Sequence, residues 1–210
     1  MQSAQVTAKE ALQRLQDGNL RYVSNKPLRP NQTAQHREGV AQVQTPFAVL
    51  VGCSDSRVPA EIVFDQGIGD LFVIRTAGHR VDDIAVASVE FAVKELGVRL
   101  VVVLGHQDCG LVKAAMAMPT VGPVQAWNVD SPVASDHIPR LLNKLQDVIE
   151  RSRGLPGDPV ENAVKENVRT VMRKLLDSSS ILQEASFIGG MQIAGAYYKL
   201  DTGVITFLEN

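Results

Sequence analysis

A chain of 210 residues with 45% hydrophobic residues, 21% charged residues and a net charge of −2 is long enough for one sizeable core and has an ordinary globular composition. No basic run accompanies that charge and aromatic residues make up only 5%, so neither nucleic acid nor an anionic membrane has compositional support as a partner. The opening residues lack the basic start and apolar run of a secretory signal, no later apolar segment approaches membrane-spanning length, and two cysteines in a chain this size do not call for a disulfide; a cytoplasmic protein is expected.

Thr7 and Glu10 have capping-box spacing, and Ala8, Ala11, Leu12 and Leu15 follow at helical intervals, which predicts an amphipathic helix over 7–23. Residues 1–45 are therefore expected as a helical arm and polar linker within one domain spanning 1–210. The short apolar runs PFAVLVG (46–52), LFVIRTA (71–77) and RLVVVLG (99–105) have the length and punctuation of buried strands. Between the last two, DDIAVASVEFAVKELG has helical spacing, an acidic start and Gly97 as a stop. Strand, helix, strand in this order predicts an α/β fold with a mostly parallel central sheet flanked by helices.

Residues 116–138 carry three prolines and Trp127 without periodicity, and are expected as a surface excursion. IPRLLNKLQDVIERSR is expected as one helix and DPVENAVKENVRTVMRKLLDSS as a second, with Asp158 as cap and Pro159 in its first turn. The final stretch, SFIGGMQIAGAYYKLDTGVITFLEN, predicts two strands joined at LDTG as a C-terminal hairpin on the sheet.

The chemistry gathers at strand ends. Cys53 closes the first apolar run, and His106 and Cys109 lie just past the third. In an open parallel sheet the carboxyl ends of neighbouring strands form the crevice where ligands collect. Two thiolates and an imidazole meeting there make a tetrahedral Zn2+ site with one position open, the ligand count of catalysis. Taken singly, either cysteine is equally a small core residue and His106 a helix cap. Together they must also account for the flanking glycines and for Asp55 and Arg57, and those readings do not. Asp55 and Arg57 follow Cys53 by two and four residues, so strand-like alternation points them the same way, about 6–7 Å apart. Arg57 would keep Asp55 ionised, although an exposed pair of this kind is also a common surface ion pair. Zinc with two thiolates is formally neutral and acidifies water less than a three-histidine site. An ionised Asp55 would offset this by orienting a zinc-bound hydroxide toward a small electrophile.

The motifs CSDSRVPAEIVFDQGIGDLFVIRTAG and VVVLGHQDCG, in this order, resemble the β-class carbonic anhydrases, with weaker likeness over nearly the whole chain. The resemblance implies reversible hydration of carbon dioxide to bicarbonate and a proton, zinc on Cys53, His106 and Cys109, and the Asp55–Arg57 dyad beside it. It implies homodimers or homotetramers in which the N-terminal helix reaches over the partner. It also implies a substrate pocket formed by Gln44, the Gly110 amide, Phe72, Ala77 and a neighbouring subunit's Phe91, where the phenylalanines fit ordinary core packing about as well. Leu50 stands where relatives with a regulatory bicarbonate site carry tryptophan, although Val58 and Arg75 match those relatives, so an open, plant-like site is expected. His79 replaces a frequent asparagine, and a structural hydrogen bond is expected of it, with a proton shuttle as the alternative. Hydrolysis of carbonyl sulfide or carbon disulfide by the same zinc site is the nearest alternative. A non-catalytic metal-binding regulatory protein, with Asp55 closing the coordination sphere, is an alternative of another class.

Overall fold

The computed structural model describes residues 6–118 and 137–209. The described residues form a five-stranded sheet: β1 (Ala48–Cys53), β2 (Leu71–Thr76), β3 (Leu100–His106), β4 (Gln192–Tyr198) and β5 (Ile205–Phe207). Strand order is β2-β1-β3-β4-β5, parallel except for the β4–β5 hairpin. β1 and β3 are buried along their whole length because both faces are covered, which is why they are continuous apolar runs. Alternate residues serve the two faces. Leu50, Leu100, Val102 and Leu104 pack with Ala11 and Leu15 of α1 (Ala8–Val23) and Val63 of α3 (Ala60–Val63). Val49, Val51, Val101 and Val103 pack with α4 (Asp83–Lys94), α8 (Pro159–Asp177) and α9 (Ser180–Phe187).

Local capping follows the sequence closely. Thr7 and Glu10 form the reciprocal capping box of α1, and Asp158 caps α8 with Pro159 at its start. Three short helices lie in segments without a long periodic pattern: α2 (Ala34–Gly39), α3, and α5 (Gly110–Met116), which springs from the residue after Cys109.

Two expectations need correction. The stretch 138–153 is not one helix but α6 (His137–Asn143) and α7 (Gln146–Ser152), separated where Leu145 N–H bonds Leu142 C=O in a tightened turn. The break lets α6 pack on α5 and α7 on α8 while Leu142 and Leu145 are both buried, a pair of directions that one straight helix does not provide. Ser186 and Phe187 end α9 rather than begin a strand; the hairpin strand starts at Gln192. Ser179 caps α9 by accepting from the Leu182 amide. Most of the expected excursion at 116–138, with Trp127, lies outside the described residues. Among the described residues no helix is long and apolar enough to cross a membrane.

One close approach positions the site. A Cβ on Gly105 would lie 2.7 Å from Val164 and 2.8 Å from Val168, so glycine there lets α8 settle directly onto β3. A third apolar cluster, with Cys53, Cys109, Val112, Leu142, Leu145, Ala163, Val164 and Tyr197, then caps the carboxyl end of the sheet.

Candidate metal centre

β1 lies between β2 and β3, and its carboxyl end beside that of β3 is the switch point where the chain turns to opposite sides. Cys53 ends β1, His106 ends β3, and Cys109 caps α5, three residues on. Their ligating atoms all lie within 4.8 Å of one another, and all three residues are buried. His106 Nδ1 is 2.8 Å from the Gln107 carbonyl. A carbonyl only accepts, so Nδ1 carries the proton and Nε2 presents its lone pair. That Nε2 is buried with no hydrogen-bond partner.

The sulfurs are prepared for charge. Cys53 Sγ accepts from the Gly78 amide at 3.3 Å and the Asp55 amide at 3.4 Å. A hydrogen bond from the Cys109 thiol, opposed by burial and assisted by those amides, holds Cys53 well below the usual thiol range. The same contact, together with burial, pushes Cys109 well above it. Two adjacent sulfurs thus lose one proton easily and keep the second, and a dication between them is what allows both to ionise. Two thiolates and one imidazole are a donor set suited to zinc, with a fourth tetrahedral position left over.

Asp55 and Arg57 come together differently from the expected strand alternation. β1 ends at Cys53, and residues 55–58 form a turn closed by Val58 N–H to Asp55 C=O. Asp55 Oδ1 accepts from the Arg57 amide at 3.0 Å and Nε at 2.9 Å, and Oδ2 accepts from Nη2 at 2.7 Å. The Arg57 hydrogen bonds, opposed by burial, hold the Asp55 carboxyl well below the usual carboxylate range. Asp55 Oδ2 lies 3.9 Å from His106 Nε2, so the ionised carboxylate adjoins the cluster. Arg57 also donates to the Asp108 carbonyl, tying the two motif loops together. Arg75 binds the Cys53 carbonyl at 3.0 Å and the Asp55 carbonyl at 2.6 Å, which occupies its guanidinium with this loop.

Ala77 and Gly110 adjoin the cluster: Ala77 precedes the amide that bonds Cys53, and Gly110 opens α5, where the first amides have no intrahelical partner. Gln44, Phe72 and Phe91 are not brought to this end. Gln44 is exposed ahead of β1, whose six residues carry the chain about 16 Å before Cys53 is reached. Phe72 is level with Val49, and its ring centroid is 6.4 Å from that of Phe91, which is 48% exposed on α4. Leu50 is buried toward α1, and Val58 belongs to that same core.

Sequence reasoning missed the Gly78 amide, which has no side chain to announce it. It named His79 without finding its partner. His79 is fully buried, burial brings it down to about 3, and its Nε2 meets Asn167 at 2.7 Å. The available signal was Asn167 itself, a polar residue on the apolar stripe formed by Ala163, Val164, Val168 and Val171.

The family described as carbonic anhydrase matches residues 48–205. Carbonic anhydrase 2 of Mycobacterium tuberculosis is 41% identical over 189 residues, covering 90% of this chain and 87% of that protein. The carbonic anhydrase of Mycolicibacterium smegmatis is 39% identical over the same length, with the same coverage of each chain. Among solved structures, a tetrameric β-carbonic anhydrase from Sordaria macrospora superimposes with a TM-score of 0.68 at 26% identity, covering 82% of this chain and 85% of that one. A β-carbonic anhydrase from Aspergillus fumigatus gives 0.68 at 27% identity, covering 83% and 82%.

Proposed function

The chain belongs to the β-carbonic anhydrase family, and from that premise we propose that it hydrates carbon dioxide reversibly to bicarbonate and a proton, with one zinc ion held by Cys53, His106 and Cys109. The observation that carries this reading is the buried, unpartnered His106 Nε2 lying within 4.8 Å of two sulfurs and 3.9 Å from an ionised carboxylate. Bound there, zinc supplies Lewis acidity that makes water a nucleophile near neutral pH.

The residues of the chain do the rest. Asp55 is fixed in place and kept ionised by Arg57, so it accepts a hydrogen bond from the water and turns an oxygen lone pair toward the carbon of carbon dioxide. Arg57 holds the dyad in register with the His106–Cys109 loop through the Asp108 carbonyl. Ala77 offers an apolar wall and the Gly110 amide a donor toward a substrate oxygen. With its carboxylate taken up by Arg57, Asp55 favours the open arrangement over one in which it is the fourth ligand.

Gln44, Phe72 and Phe91 complete the pocket from a second copy of the chain, and a homodimer is the smallest competent unit, with a tetramer as the further assembly. Half-buried Phe72, half-exposed Phe91 and exposed Ile84 beside the edge strand β2 support that face as the interface. Two free thiols in the site suit a reducing compartment, and the cytoplasm is the proposed location.

Elemental analysis should find one zinc per chain, most of it lost in Cys53→Ser, and stopped-flow hydration of carbon dioxide should disappear with it. Full zinc retention in that variant would sink the ligand assignment. Faster turnover of carbonyl sulfide or carbon disulfide by the zinc-loaded protein would move the substrate to those gases.

A further inference from the structure

Asn167 on α8 is fully buried and far in sequence from the cysteines and His106, yet all of its amide is spent on one turn beside Cys53. Its Nδ2 donates to the Gly78 carbonyl at 2.8 Å and meets His79 Nε2 at 2.7 Å, and its Oδ1 accepts from Arg80 Nη1 at 3.0 Å. The Gly78 carbonyl demands a donor and Arg80 demands an acceptor, so the amide has one orientation. Its second N–H then points at His79 Nε2, which must accept. Three consecutive residues are held by a single side chain.

We propose that Asn167 is a positioning residue for the metal ligand Cys53, holding the 78–80 turn so that the Gly78 amide stays aimed at the Cys53 sulfur. The inference rests on the zinc reading above.

The turn needs such a hold. Gly78 has φ 64° and His79 φ 45°, and the left-handed conformation is disfavoured for a histidine, so it persists only where the surroundings impose it. A Cβ on Gly78 would meet Leu111 at 2.6 Å, so the turn is also confined from the α5 side. Asn167 reaches it because α8 sits on Gly105, with Val164 and Val168 on either side of Asn167 in sequence. An amide buried among valines and left unpaired is destabilising, and these three contacts offset that. An N–H···S bond withdraws charge from a ligating thiolate, and removing such outer support typically weakens metal binding about 10- to 100-fold.

The test uses the full-length protein loaded with cadmium-113 or cobalt(II). In the wild type, the Gly78 amide proton should show scalar coupling to cadmium through the N–H···S bond, and cobalt should give a thiolate charge-transfer band that Cys53→Ser removes. Asn167→Asp is nearly isosteric and can still accept from Arg80 but cannot donate to Gly78 or His79. It should lose the coupling, shift the band and bind zinc about 10-fold or more weakly in chelator competition. Asn167→Leu should do the same where it folds. A purely structural Asn167 would lower the melting temperature and leave coupling, band and affinity unchanged; that result, or no Gly78 coupling in the wild type, overturns the proposal. A wild type that binds none of these metals through Cys53 overturns the zinc reading beneath it instead.

Discussion

Asp55→Asn should lower carbon dioxide turnover about 100- to 1,000-fold while leaving zinc bound and the fold nearly unchanged, an activation difference of about 3–4 kcal/mol. The size of the two effects follows from the surroundings of the carboxylate. Its two oxygens accept three hydrogen bonds from Arg57 at 2.7–3.0 Å. An asparagine can present a carbonyl to one side only, so its NH2 would oppose either the guanidinium or the donor arriving from the site. The Arg57 side chain is 51% exposed and is solvated readily when released, so the stability cost stays within about 1 kcal/mol. That corresponds to a melting shift of about 2–4 °C in a chain of this size. The catalytic cost is larger because the Asp55 side chain is only 17% exposed, and the acceptor facing the site is not replaced by solvent in a fixed geometry. Stopped-flow hydration, elemental analysis and a thermal melt on one preparation separate these terms. Turnover within about threefold of wild type would remove Asp55 from the chemistry. Loss of zinc would mean that the carboxylate is itself a ligand.

Asp65 should make the fold acid-sensitive. Burial pushes its carboxyl up, but Arg21 and the amides of Leu28 and Arg29 more than offset this, so it titrates below its ordinary value. A carboxylate lowered on folding stabilises fully above its unfolded pKa of about 3.9 and loses that contribution as pH falls through the lower folded value. Asp65→Asn should therefore be about 1–3 kcal/mol less stable at pH 7 and show a shallower acid limb in denaturant titrations; equal limbs would contradict the linkage. Gly105→Ala places a methyl 2.7 Å from Val164 and 2.8 Å from Val168, and should cost about 1–3 kcal/mol by pushing α8 off β3. An unchanged melting temperature would show that the valines yield freely.

The sequence by itself determined what depends on residue type and near neighbours. Both faces of β1 and β3 are covered, so their apolar runs identify them, and the Thr7–Glu10 box and Asp158 cap mark helix starts through contacts three residues long. Cys53, His106 and Cys109 were legible because thiolate and imidazole at adjacent parallel strand ends have few other uses. Only the tertiary structure decided the rest. The chain breaks between α6 and α7 because it must follow α5 and then α8, a demand set by packing partners rather than by local propensity. Phe72 and Phe91 meet between β2 and α4 because strand register places Phe72 level with Val49, not with Cys53. The Gly78 amide leaves no mark in the sequence, since every residue but proline carries an N–H. It reaches the Cys53 sulfur from a turn of two consecutive left-handed residues that Asn167, brought in by α8 settling on Gly105, contacts through the Gly78 carbonyl. Contacts between residues so far apart depend on how closely a helix can approach a strand, and that distance is a property of the folded core.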